Sequence, residues 1–574
     1  MPVSEFVQNT LRRRIAVATV FVTLVALTVP AVVSAKPETT NVQLLAINDF
    51  HGNLVPPTGS SGRVGATPAG GVEYLATKIK DLEATNPTGT LEVAAGDLIG
   101  ASPLLSAAFH DEPTIEAMNA LGLDISAVGN HEFDEGVDEL LRIQNGGCHP
   151  VDGCQDGDDF AGASFQYLAA NVVRKSNGKP IFPAYKVRSV AGAKVGFIGL
   201  TLEGTPSIVT PSGVASVNFL DEADTINAAT AELKAKGVHT IVVLLHEGGA
   251  QTSPLSETSI NTCVGMSGAV VDIVSKLDAD VDLVVSGHTH NAYNCALPNS
   301  VGQNIAVSSA SSFGRLVTDI DLTIDRGTDQ PTAIAVNNKI VTRDVALDPA
   351  ETTIITKYNT AIAPIANRIV GSITGDITRS NNTAGESALG DVIADAQLEA
   401  SASDNARIAF MNPGGIRADL VFAQISGVEQ PGEVTYGEAF TVQPFNNLVA
   451  TEDLTGAQIK TVLEQQFCNA ALTATRNNTI LQPSAGFTYS WDSTQPCGGK
   501  TSLLALNGVP IDPALTYRVT MNNFLADGGD GFPEFTHGTN RVTRGFDVTG
   551  GTFGAAGSLT SREVSAYGCD PLLP

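Results

Sequence analysis

Gly129-Asn130-His131-Glu132-Phe133-Asp134 stands between an apolar run, Ile125 to Val128, and a segment from Glu135 to Ile143 with Val137, Leu140 and Leu141 on one side. The run reads as the end of a strand and the segment as a helix, so the stretch between them is a strand-to-helix turn. Such a turn places an amide, an imidazole and two carboxylates at the carboxyl end of a strand, where open α/β sheets carry their ligands.

The same pattern recurs outward from this point. Val42 to Ile47 runs into Asn48-Asp49-Phe50-His51, Leu91 to Ala95 into Gly96-Asp97, Thr240 to Leu245 into His246-Glu247-Gly248, and Val281 to Val285 into Ser286-Gly287-His288-Thr289-His290. Val195 to Leu200 is a further strand, and helix-like segments at Val72 to Ala84, Thr114 to Leu121, Ala223 to Lys236 and Ala269 to Leu277 fall between several of these strands. Alternation of this kind predicts a layered α/β domain. Parallel strands bring their carboxyl ends to one edge of a sheet, so side chains far apart in sequence are expected to converge there. Asp and His are ligands that suit a borderline divalent ion, and a carboxylate can bridge two of them. Five of the nine histidines sit at these strand ends.

The chain of 574 residues is too long for one core. Its 43% hydrophobic and 16% charged residues are a globular composition. Arg12, Arg13 and Arg14 precede an apolar run from Ile15 to Val33 that ends in Val33-Ser34-Ala35, the pattern of a cleaved leader, so residues 1–35 are expected to be a signal peptide. No later run is apolar for long enough to span a bilayer, and no stable transmembrane anchor is expected. Without the leader's three Arg and one Glu the formal charge goes from -27 to -29, with 30 basic residues against 59 acidic. So acidic a chain repels polymeric nucleic acid and anionic membranes. Export would make it secreted, periplasmic or envelope-associated, and seven cysteines then read as disulfides with one left over. Sequence neighbours suggest Cys148 with Cys154, Cys263 with Cys295 and Cys468 with Cys497, leaving Cys569; the absence of a CxxC pair argues against metal ligation.

Residues 36–335 form the expected first domain and 336–369 a linker. Within it Val345 to Ile369 is helix-compatible, with a break expected at Pro364. Residues 370–574 form a smaller α/β domain, with helices at Leu389 to Ala402 and Leu454 to Phe467, strands at Arg407 to Met411 and Tyr517 to Met521, and the only tryptophan, Trp491, in a strand-like run read as structural.

The series Asn48 to Gly52, Gly96-Asp97, Gly129 to Asp134, His246 to Gly249 and Gly287 to His290 resembles the calcineurin-like metallophosphoesterases. Its continuation into Asn412-Pro413-Gly414-Gly415-Ile416-Arg417 and Asn523 to Phe532 resembles the secreted 5'-nucleotidases. The resemblance implies two divalent metal ions, of a kind (zinc, manganese or iron) that the ligand types leave open. One would be held by Asp49, His51, Asp97 and His290, the other by Asp97, Asn130, His246 and His288. It matches His131 and Asp134 to a catalytic pair. Asn412, Gly415 and Arg417 match ribose-phosphate contacts, Phe445 and Phe524 the rings that sandwich the base, and Asp530 the carboxylate on the ribose hydroxyls. An arginine that relatives often carry is Thr383 here, with Arg379 nearest. The implied activity is hydrolysis of nucleoside 5'-monophosphates, with UDP-sugars a further candidate substrate. The alternatives are a 2',3'-cyclic nucleotide 2'-phosphodiesterase/3'-nucleotidase, and a surface nucleotide-binding protein without catalysis. A small-molecule nucleotide is the expected partner, and the sequence sets no oligomeric state.

Overall fold

In the computed structural model two six-stranded sheets lie face to face at the centre of the first half, because the strands alternate two apolar faces. The first sheet runs, in spatial order, Gln330–Ile340, Leu316–Asp325, Thr39–Ile47, Thr90–Ala94, Ile125–Ala127, Gln166–Leu168. The second runs Ala292–Pro298, Asn304–Ala310, Leu283–Ser286, Thr240–His246, Ala193–Thr201, Tyr185–Val190. Val42, Leu44 and Ala46 of the first sheet meet Phe197, Val242, Leu244 and Val285 of the second. The opposite side chains, Leu45 and Ile47, turn outward onto Val72, Leu75 and Ile79 of the helix Val72–Glu83. Ile241, Val243 and Leu245 turn onto Ile226 and Leu233 of the helix Glu222–Ala235. Parallel strands covered on both faces in this way read as continuous apolar runs, and Thr240–His246 is buried at every position.

The structure describes residues 38–445, 447–468 and 479–546. The expected leader and Cys569 lie outside the described residues. No helix among the described residues is long and apolar enough to cross a membrane. The three expected disulfides, Cys148–Cys154, Cys263–Cys295 and Cys468–Cys497, are formed.

In the second half a five-stranded sheet runs Gln482–Pro483, Ile408–Met411, Thr516–Asn522, Leu448–Thr455, Thr539–Phe546. One face (Ile408, Phe410, Val519, Met521) packs on Ile459, Val462 and Leu463 of the helix Gly456–Gln465. The other (Ala409, Met411) packs on Leu389, Ile393 and Ala394 of the helix Ala388–Ala400.

Local chemistry accounts for where the elements depart from the sequence reading. The helix expected from Leu454 starts at Gly456, because Thr455 and Gln458 form a capping box that fixes the first turn. The helix expected from Glu135 starts at Val137, after Gly136 at φ 91. The break expected at Pro364 does not occur: the helix Pro349–Ala366 runs through it. Pro364 falls in the last turn, where little helix remains to be disrupted. The outer strand of the first sheet runs on to Ile340, past the expected boundary at residue 335. The linker helix is clamped to the first half by Phe109 against Tyr358, with ring centroids 4.8 Å apart, and by Tyr358 OH donating to Glu116 and Asp156.

Candidate metal and substrate site

Seven side chains from five strand ends meet at one edge of the paired sheets. His51 Nδ1 donates to the carbonyl of Gly100 at 2.9 Å, which turns its Nε2 to the centre, 3.0 Å from His290 Nε2. Asp49 Oδ1 is 3.4 Å from His290 Nε2, and Asp97 Oδ2 is 3.6 Å from His51 Nε2. On the other side of Asp97, its Oδ2 is 2.9 Å from His246 Nε2, whose Nδ1 donates to Ala95 O. Asn130 Oδ1 is 3.2 Å from His246 Nε2 and 2.9 Å from His288 Nδ1. Asp97 thus lies between two groups of donors.

The backbone is bent to make this edge. Asp49, His51, Asp97, His288 and His290 all have φ between 49° and 69°. Non-glycine residues held in the left-handed region cost energy and cluster at functional sites. Gly129 is required by closeness: a Cβ there would stand 2.1 Å from Asp97 Oδ1.

The electrostatics fit cations. Asp49 and Asp97 are buried, and histidine nitrogens stand within 4 Å of both carboxylates. Burial pushes Asp49 up to about 7. Burial also drives His51 and His290 well below the ordinary histidine value, which favours neutral rings whose facing Nε2 atoms are able to act as ligands to a shared cation. His246 behaves oppositely: burial opposes its charge, but Asp97, Asp49 and Glu132 raise it to about 10, so positive charge is favoured at its Nε2. Donor atoms around a tetrahedral zinc stand about 3.3 Å apart, given bonds of about 2 Å. The separations here are of that size, and the nitrogen and oxygen set suits zinc, manganese or iron.

His131 stands beside this cluster. Its Nδ1 is 2.9 Å from Asp134 Oδ2, which leaves Nε2 for a ligand. Burial opposes its charge, yet Asp134 and Asp97 hold it above the ordinary value. Gly100 makes room for the pair: its φ is 79°, and a Cβ there would lie 2.3 Å from His131 O.

The second half contributes the far wall. Arg417 Nη2 is buried without a hydrogen-bond partner, and the guanidinium stands over the Phe445 ring at 5.8 Å. Its charge adds to burial in opposing protonation of His51, His131 and His290, while Asp97 favours it at all three. Phe445 stacks on His131, with centroids 5.8 Å apart. Asn412 Nδ2 donates to Asp530 Oδ2 at 2.7 Å. The Phe524 ring lies over Gly529, next to Asp530, where a Cβ would meet ring atoms at 2.5 Å. Gly415 is buried beside Met411 and Asn412, which a Cβ would meet at 2.5 and 3.1 Å. Arg379 donates to Ile416 O and to Ser61 Oγ, so it braces the loop before Arg417. Trp491 packs on Phe467 and donates to Ala384 O, as a structural residue does.

Several supporting residues gave no separate signal in the sequence. Glu132 accepts the backbone N–H groups of Asp97, Leu98 and Gly129, tying two neighbouring strand ends together. Asn48 Nδ2 donates to Asp49 Oδ2 and to Ser311 O. Phe313 packs against His51 and His290. Asp111 accepts from Gly100 N, steadying the carbonyl that orients His51. Glu132 lies inside the quoted turn, and its place three residues after Gly129 was the one available clue.

The profile for calcineurin-like phosphoesterase matches residues 42–292, and that for the 5'-nucleotidase C-terminal domain matches residues 364–537. Endonuclease YhcR of Bacillus subtilis is 32% identical over 503 residues, 86% of this chain and 38% of that one. Cell wall protein Lmo0130 of Listeria monocytogenes is 32% identical over 530 residues, 87% of this chain and 65% of that one. The chain therefore spans less than two thirds of both relatives. The crystal structure of a 5'-nucleotidase precursor from Thermus thermophilus superposes with a TM-score of 0.73 at 27% identity, over 90% of this chain and 96% of that one.

Proposed function

The chain belongs to the calcineurin-like phosphoesterases that carry a 5'-nucleotidase C-terminal domain, and from that premise we propose that it is a 5'-nucleotidase. It would release phosphate from nucleoside 5'-monophosphates. The observation that carries this reading is Arg417, a buried guanidinium nitrogen of the second half left unbonded at the face of the first half's histidine and carboxylate cluster.

Asp49, His51, Asp97 and His290 would hold one divalent cation, and Asp97, Asn130, His246 and His288 another. When bound, such ions supply Lewis-acid activation of water and charge compensation for the transferring phosphoryl group. The chain's own residues do the rest. His131, fixed by Asp134, carries a proton on Nε2 toward the oxygen where charge develops. Arg417 offers a fork to the phosphate. Asn412 and Asp530 take the ribose, the former's loop brought close by Gly415, and the half-buried Phe445 and Phe524 take the two faces of the base. Phe445, close to both His131 and Arg417, would also keep water from the reacting end.

We place the protein outside the cytoplasm, as a secreted, periplasmic or envelope-associated enzyme. Three disulfides support this, since such bridges persist in oxidising compartments. The test is phosphate release from a substrate panel by the purified chain, with zinc, manganese or iron added. Nucleoside 5'-monophosphates are expected to lead. A preference for 2',3'-cyclic or 3'-nucleotides would replace the reading with its cyclic-phosphodiesterase alternative.

A further inference from the structure

We propose that Asn522, which the sequence reading did not single out, is a positioning residue for recognition of the substrate's ribose diol. The proposal rests on the reading of Asp530 as the carboxylate that receives those hydroxyls. Asn522 ends the strand Thr516–Asn522 and caps the short helix Asn523–Ala526, and its side chain is fully buried. Its Oδ1 accepts the backbone N–H of Leu525 at 2.8 Å. A backbone N–H can only donate, so this contact fixes which way round the amide sits. Nδ2 of Asn522 must then face Asn412, and it donates to Asn412 Oδ1 at 2.8 Å. With its oxygen taken, Asn412 presents Nδ2 to Asp530 Oδ2 at 2.7 Å.

The three bonds form a one-way relay from the Leu525 backbone through two buried amides to one carboxylate. An amide is nearly symmetric in shape, so its partners alone decide whether it shows a donor or an acceptor. Were Asn412 to turn over, its Oδ1 would face the carboxylate and repel it. Asn522 therefore sets the polarity of the contact that holds Asp530, which sits at φ 53° in a strained turn. A carboxylate held by a donor from the protein side keeps its remaining lone pairs turned to hydroxyls from the substrate side. The same cap fixes the turn that carries Phe524, so one buried amide registers the sugar contact against the ring expected under the base.

Two variants test this in the full chain. Asn522→Asp keeps the volume and the acceptor for Leu525 but cannot donate, and it sets an oxygen against Asn412 Oδ1. Asn522→Ser keeps a short cap without a buried charge, and decides the matter should the first variant fold poorly by its thermal midpoint. The readout is kcat/KM for a ribonucleoside 5'-monophosphate, for its 2',3'-dideoxy counterpart and for a small phosphate ester lacking a nucleoside. The relay predicts a loss of roughly 10- to 100-fold on the ribonucleotide, mainly in KM, the scale of a hydrogen bond to a charged group. The ribo to dideoxy ratio falls toward one, and the small ester changes by less than about twofold. Parallel losses on all three substrates with an unchanged ratio overturn the proposal, since a merely structural role would give that. Asp530→Ala separates the two levels. If it leaves the ratio unchanged, the assignment of Asp530 fails and the relay with it; if it collapses the ratio while both Asn522 variants preserve it, only the relay fails.

Discussion

His131 and Phe445, from opposite halves of the chain, stack with ring centroids 5.8 Å apart and planes 28° from parallel. In the proposed reading a ring placed there would serve the base and the reacting end together, whereas Phe524, over Gly529, would serve the base alone. The two phenylalanines should therefore separate. Phe524→Ala is expected to lower kcat/KM for a nucleoside monophosphate by roughly 5- to 150-fold, the equivalent of one lost stacking contact, and to leave a small phosphate ester nearly unaffected. Phe445→Ala should lower both. Equal losses on the two substrates in Phe524→Ala would make that ring structural.

His131→Ala should keep its metal and lose turnover by roughly 100-fold or more, the range for a proton donor or charge-stabilising group. Metal analysis of the purified variant is the control. A fall in metal content that matches the fall in rate would make His131 a ligand instead. Asp134→Asn keeps the shape of the pair but removes the charge that, against burial, holds the imidazole protonated, so its activity loss should deepen as pH rises.

Metal binding should be visible without turnover. Exhaustive chelation is expected to abolish phosphate release and lower the thermal midpoint, because an ion that binds only the folded state stabilises it by about 2.7 kcal/mol at a hundred times its Kd. Asp97→Asn, which removes the carboxylate standing between both donor groups, should erase that metal-dependent difference in midpoint. A wild-type midpoint and activity indifferent to chelation would sink the two-metal mechanism.

The sequence showed the strand ends well, because a run of apolar residues closing on Asp or His needs only the parallel sheet to bring its members together. It hid whatever depends on contact across the fold. Asn522 reads as one more residue after the expected strand Tyr517 to Met521, and nothing around it signals that its amide faces Asn412 from another strand. The left-handed φ of Asp49, His51 and Asp97 was equally hidden: Asp and His enter that region more readily than most residues, but nothing local marks which of them do. Pro364 misled for the opposite reason. Proline removes one hydrogen bond to the preceding turn, and here the helix carries that loss and ends two residues later, at Ala366.

A second group of titrating residues, next in the chain to Asp111 and Asp134, makes stability depend on pH. His110 Nδ1 is 2.7 Å from Glu135 Oε2, its Nε2 is 3.0 Å from Asp152 Oδ2, and its ring stacks on His149 at 3.7 Å. Burial opposes its charge, but the hydrogen bonds and charge of Glu135, with Asp152 and Glu139, raise it to about 9. A folded-state value above the unfolded 6.5 means that the proton favours the fold. The contribution is complete below about pH 6.5 and is lost as pH rises through about 9. Because both carboxylates are about half exposed, solvent screening leaves it on the order of 2 kcal/mol. The cystine loop Cys148–Cys154 carries Asp152, and Asp156 just beyond it is held by Lys357 and Tyr358 of the linker helix, so weakening His110 should loosen that contact too. Urea midpoints of wild type and His110→Asn, measured from pH 6 to 10, should differ most at pH 6 and converge by pH 10. A gap that stays constant over that range would show that His110 acts by packing on His149 alone.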